Sequence, residues 1–216
     1  MKPFTFLTLA SCLATMLATA SHAQSPAINF LGADKQMVKY QDLALTETQQ
    51  SKLKKFSRDI EYFGGFAVNT DNGAWGYSAG FFSQGVAEQT AIKICEGNAR
   101  GRPCTLIAAV LPAAIAPGAR NAFGFNKYKE EYYKSEFLPE VKRQRSGRYA
   151  AFAIGSNALG YDTNAKSADV AKLKARRNCE KAEARNRRKK YEISVRNAIS
   201  ALDGQKCKVI EVIGPS

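Results

Sequence analysis

Apolar positions along the chain fall into short blocks separated by polar turn signals. An apolar stretch up to Ala20 is followed by a segment of mixed character from Ser25 to Leu45. From Thr46 to Tyr62, Leu53, Phe56 and Ile60, with Phe63 beyond, recur at helical spacing, and Thr46 stands where an N-cap belongs. This predicts a helix with one core-facing side. Next comes Phe66-Ala67-Val68, then Asn69 to Gly73, whose Asn72-Gly73 step is a strong hairpin signal, then a returning strand over Ala74 to Ala79. Ser83 is a candidate N-cap for a helix carrying Ala87, Ala91 and Cys95 at every fourth position, a small-residue stripe that can lie close on a sheet. Cys104 then opens the apolar run Thr105 to Val110, which predicts a buried strand.

The same order returns downstream. Aligning Ala74–Cys95 with Ala158–Cys179 without gaps pairs identical residues at Ala74/Ala158, Gly76/Gly160, Tyr77/Tyr161, Ser83/Ser167, Val86/Val170, Ala87/Ala171, Ala91/Ala175 and Cys95/Cys179. Upstream, Phe66-Ala67-Val68 answers Phe152-Ala153-Ile154, and downstream Cys207 opens a strand over Lys208 to Ile213 as Cys104 does in the first copy. The second hairpin is shorter, turning at Gly155-Ser156-Asn157. Between Cys179 and Cys207 lies an insertion in which Tyr191, Val195, Ala198, Ile199 and Leu202 keep helical spacing until Asp203-Gly204 stops it.

The pattern therefore predicts an α+β protein of two tandem β-hairpin-helix-strand units with antiparallel or mixed sheets. The expected segments are 24–62 with its helix, unit one at 63–112, a connecting segment at 113–146, and unit two with its basic helical insertion at 147–216. In the connecting segment Tyr128, Tyr132, Tyr133 and Phe137 alternate with Lys127, Lys129 and Lys134. They could lie on an amphipathic helix or form an aromatic and basic surface; because large aromatics are more often packed than exposed, they are expected to cover an interface between the units.

Composition changes the picture in three ways. With 45% hydrophobic and 24% charged residues over 216 positions, the chain has enough apolar material for a folded core. Met1-Lys2, the apolar run and Ser21-His22-Ala23 read as a signal peptide over 1–23, so a periplasmic or secreted mature chain is expected. The alternative is lipid anchoring through Cys12, because Leu9-Ala10-Ser11-Cys12 resembles a lipoprotein processing box. Loss of residues 1–23 leaves four cysteines in an oxidising compartment, and of their three pairings the repeat selects Cys95 with Cys104 and Cys179 with Cys207, one bridge per unit. It also removes His22, the single histidine, and with it histidine-based triads and histidine-containing zinc sites.

An Ala-rich strand beside an aromatic, then Trp75-Gly76-Tyr77-Ser78 or Leu159-Gly160-Tyr161, then an Ala-rich helix ending in cysteine and a second cysteine before a strand: this order resembles a bacterial secreted-domain family of unknown function. Its members are short exported proteins or modules attached to other exported domains, including caspase-like ones. The resemblance covers both repeats and implies no catalytic residue. The chain departs from it in the long basic insertion and in the absence of an aromatic before Gly160.

Charge is concentrated. Lys172, Lys174, Arg176, Arg177, Lys181, Arg185, Arg187, Arg188, Lys189 and Lys190 face only Glu180 and Glu183 within the same stretch, against a formal +13 for the whole chain. Such a concentration attracts polyanions in a salt-dependent way, and it can equally be a solvated helix face. Gly76-Tyr77 and Gly160-Tyr161 could form an aromatic platform for a ligand, although glycine in a strand more simply permits close packing. Gly97 to Gly101 lacks the residues of a phosphate loop. Acid/base chemistry would fall to Asp71, Glu88, Glu96, Asp162 or Asp169.

The sequence thus points to an exported, non-catalytic binding module that needs no cofactor and no metal. Its expected partner is an anionic polymer or surface: lipopolysaccharide, cell-wall polymer or nucleic acid. A secreted inhibitor or effector acting on a protein partner is the alternative, and a carboxylate-dependent cell-wall or sugar hydrolase the third reading.

Overall fold

Two antiparallel sheets carry the hydrophobic runs. A computed structural model describes residues 31–215 apart from 33, 61, 120–123, 126 and 203–205. The expected signal peptide with Cys12 and His22, and the helix stop at Asp203-Gly204, lie outside the described residues. The first sheet contains β1 (Lys35–Lys39), β2 (Gly64–Val68), β3 (Trp75–Tyr77) and β4 (Thr105–Pro112) in the order β1-β4-β2-β3. The second contains β5 (Tyr149–Ile154), β6 (Leu159–Ala165) and β7 (Lys208–Ile213) in the order β6-β5-β7. All strand pairings are antiparallel.

Helices α1 (Glu47–Asp59), α2 (Gln84–Asn98), α5 (Ala168–Lys190) and α6 (Ile193–Ser200) account for the predicted helical segments. The connecting segment forms α3 (Lys127–Tyr132), a π-helical turn at Tyr133–Phe137, and α4 (Leu138–Lys142). Thr46 caps α1 with a reciprocal box: Gln49 N donates to Thr46 Oγ1 at 3.2 Å, and Thr46 N donates to Gln49 Oε1 at 3.0 Å. Ser167 Oγ accepts from Val170 N at 3.3 Å at the start of α5, whereas Ser83 begins α2 without a side-chain cap.

Small residues bring each sheet close to a helix. A Cβ on Gly76 would stand 2.8 Å from Ala91 O of α2, and one on Gly160 would stand 2.6 Å from Ala175 O of α5, so neither site has room for it. Ala67, Ala91 and Cys95 form one small-residue layer; Ala151, Ala153, Ala171, Ala175 and Cys179 form the other. The opposite sheet faces carry aromatics. Phe56 of α1 packs on Phe66 and Tyr77 at ring-centroid distances of 5.5 and 6.2 Å, and Phe137 packs on Phe152 and Tyr161 at 5.0 and 5.6 Å. The connecting segment thus supplies core: Phe137 and Tyr133 are buried with Phe63, Phe82, Leu111 and Phe152 in the largest cluster.

Strand registers correspond between the sheets. Phe66 pairs with Tyr77 and Ala67 with Gly76; Phe152 pairs with Tyr161 and Ala153 with Gly160. A bulge interrupts β2 against β4 between Phe66 and Ala67, and another interrupts β5 against β7 between Phe152 and Ala153. The disulfides join Cys95 to Cys104 and Cys179 to Cys207, each tying a helix to the residue before a strand with Cα atoms 6.0 Å apart. Each stabilises by roughly 2–4 kcal/mol, chiefly by restricting the unfolded chain.

Candidate anion-binding helix

Helix α5 forms from strong helix formers, with neither glycine nor proline between Ala168 and Lys190. Its 23 residues span about 35 Å. The buried positions Ala171, Ala175, Cys179 and Glu183 recur every fourth residue and define the side against the second sheet. Because this stripe is narrow, the basic residues between its members point away from the sheet. Lys172, Lys174, Arg176, Arg177, Lys181, Arg185, Arg188, Lys189 and Lys190 are all exposed. Arg187 follows the stripe instead and is partly buried against Glu183, with Nη1 3.6 Å from Oε2.

Three exposed bases have carboxylate neighbours: Lys172 with Asp169 at 3.3 Å, Lys174 with Asp162 at 3.5 Å and Arg176 with Glu180 at 3.8 Å. Arg177, Lys181, Arg185, Arg188, Lys189 and Lys190 form no ion pair within the described residues. They cluster toward the C-terminal half of α5, where the helix macrodipole also favours cations.

Glu183 is a functional-looking group that the sequence reasoning left among the solvated charges. It is 2% exposed. Asn157 N donates to its Oε1 at 2.5 Å, and Asn186 Nδ2 donates to Asn157 O at 3.0 Å, so two α5 side chains grip the tip of the β5–β6 hairpin. Gly155 is required there, because a Cβ would meet Glu183 Oε1 at 2.5 Å and Cys207 Sγ at 2.9 Å. Burial pushes the Glu183 carboxyl above its ordinary range, against the lowering effect of the Asn157 amide, Arg187 and Lys129. The Lys129 ammonium, 5.5 Å above the Phe82 ring, is pushed below its ordinary value by burial and by Lys190. Tyr191 is pushed up to about 12 by burial and the neighbouring Glu183 charge. The signal for Glu183 was present: it continues the four-residue period of Ala171, Ala175 and Cys179, and the corresponding stripe of α2 ends in buried Ala99.

The five candidate carboxylates are dispersed. Glu88 is buried where Tyr40 Oη donates to its Oε1 at 2.5 Å and Gln84 Nε2 at 2.7 Å. Glu96 pairs with Lys93 at 2.8 Å, Asp162 and Asp169 each pair with a lysine of α5, and Asp71 is exposed in the first hairpin. Among the described residues no three metal-ligating side chains converge. One open cleft of about 500 Å³ is lined by Asn72, Trp75, Asn98, Arg100 and Arg102. Another of about 400 Å³ is lined by Met37, Lys39, Leu43, Leu53, Lys54 and Ile107. Neither is lined by any of the five.

The glycine-tyrosine pairs divide in role. Gly76 and Gly160 admit the helices, Tyr161 packs on Phe137, and Tyr77 is 44% exposed. No described helix is long and apolar enough to cross a membrane. Comparisons with protein-family profiles, curated proteins and solved structures return no significant match.

Proposed function

We propose that this chain is an exported, non-catalytic attachment module whose α5 helix holds it to an anionic polymer or surface. Lipopolysaccharide, cell-wall polymer and nucleic acid are the partner classes that present the required charge. The observation that carries this reading is the segregation of α5: nine exposed bases, six of them without an ion pair among the described residues, stand on a helix whose other side is bolted to the sheet. A rigid array of cations about 27 Å long gains more from a polyanion than the same charges on a loose tail, because little ordering entropy is lost on binding. The two disulfides fit an oxidising, extracytoplasmic compartment.

The scaffold is read as two copies of one unit, each with its own disulfide. The shared register, the matching bulges, the two helix-admitting glycines and the repeated aromatic triads support this. In this reading each unit begins earlier than its hairpin, with α1 in the first and the α3 to α4 segment in the second.

The test is retention of the mature, disulfide-bonded chain on heparin, lipopolysaccharide and DNA across a salt series. Binding should fall steeply as salt rises, and charge reversal at Arg185, Arg188 and Lys189 should weaken it at least about tenfold without lowering the melting temperature. Arg187 is left intact, because its loss would strip buried Glu183 of a partner and confuse binding with folding. Retention that ignores both salt and charge reversal would reduce α5 to a solvated face.

A further inference from the structure

The two sheets differ at one edge. In the first, the C-terminal strand β4 is paired on both sides, with β2 on one and β1 on the other, through five residue pairs from Lys35↔Pro112 to Lys39↔Ala108. In the second, the C-terminal strand β7 pairs with β5, and no strand among the described residues lies on its outer side. Burial follows this difference. Residues Ile107 to Pro112 of β4 are fully buried, whereas Val209, Ile210, Val212 and Ile213 of β7 remain half-buried. Within one molecule, β1 therefore serves as a control for what a docked strand does to this position.

Exposed strand edges recruit other strands, and folded proteins usually blunt them. Edge strand β1 has lysine at both ends, and edge strand β3 is three residues long. β7 carries a lysine only at its first residue, Lys208; from Val209 to Ile213 it runs without proline or cation, and its one acid, Glu211, accepts from Tyr133 Oη at 2.5 Å. Its cations, Lys206 and Lys208, are exposed together at its N-terminal end.

We propose that the outer edge of β7 receives an extended, acidic segment of a partner protein as a fourth antiparallel strand, completing the second sheet as β1 completes the first. Main-chain hydrogen bonds would supply affinity, and the half-buried valines and isoleucines would select alternating apolar residues. Charge chooses the occupant. A second copy would bring another chain of net +13 to this edge, whereas an acidic segment meets Lys206 and Lys208.

The experiment uses the mature, isotope-labelled chain with both disulfides formed. It is titrated with an eight-residue peptide alternating valine and glutamate, and with a second peptide of equal charge in which two central valines are proline. The alternating peptide should slow exchange of the β7 amides that point away from β5 at least tenfold, the proline peptide should leave it unchanged, and Lys206→Glu with Lys208→Glu should weaken the effect at least fivefold. Charge reversal on α5 should leave it intact, which separates this site from polyanion attachment. Three results overturn the proposal: equal effects of both peptides, protection in the free chain of the β7 amides that point away from β5, or protection that appears only with concentration-dependent self-association.

Discussion

Glu183 is a buried carboxylate held by the backbone amides of Asn157 and Ala158 and by one partly buried arginine. Burial raises its folded pKa above the unfolded value of about 4.3. A raised acid contributes stability that is fully present below the unfolded pKa and is lost as pH rises through the folded one. Glu183→Gln keeps an acceptor for Asn157 N and removes the titration. Urea denaturation between about pH 4 and 8 should therefore show the glutamine variant gaining on the parent as pH rises; a constant difference would mean the carboxyl is unperturbed. At Gly160 the limit is steric. Gly160→Ala should destabilise by about 1–3 kcal/mol or more in thermal melts, because its methyl meets the α5 backbone, and Gly76→Ala should behave alike. A neutral result at either would place the helix farther from the strand.

Helix α6 is held from outside its own segment. Its Val195 and Ile199 are buried, and Val195 Cγ2 fills the space where a Cβ on Gly97 of α2 would lie, 2.5 Å away. The insertion of the second half thus docks on a helix of the first. Val195→Asp would bury a charge there, so hydrogen exchange in α6 should quicken about tenfold or more while the central strand β5 stays protected. Unchanged protection would mean that α6 is held by its own chain neighbours. The helical spacing of the insertion was legible in the sequence; its destination was not, because a period names a face without naming what covers it. β1 was missed for a related reason. Lys35 to Lys39 is too short to show a clear alternation, and it becomes a strand because β4 offers an unpaired edge.

Across the whole molecule, two small-residue layers bind helices to sheets, and a large aromatic cluster drawn from both halves joins the sheets to each other. The connecting segment belongs to that cluster through Tyr133 and Phe137, as its aromatic content led one to expect. What the chain determined by itself was local. Hairpins follow from turn chemistry and α2 and α5 from small residues every fourth position, and the disulfides are the pairing expected from the sequence, Cys95 with Cys104 and Cys179 with Cys207. Lys181 and Glu183 stand on opposite sides of one helix, a division the four-residue stripe already marks; tertiary structure alone decided what meets the buried carboxyl, the backbone of the hairpin tip at Asn157. It also decided that β4 is paired on both sides while β7, among the described residues, has no strand on its outer side, since pairing at a sheet edge depends on a distant segment arriving there.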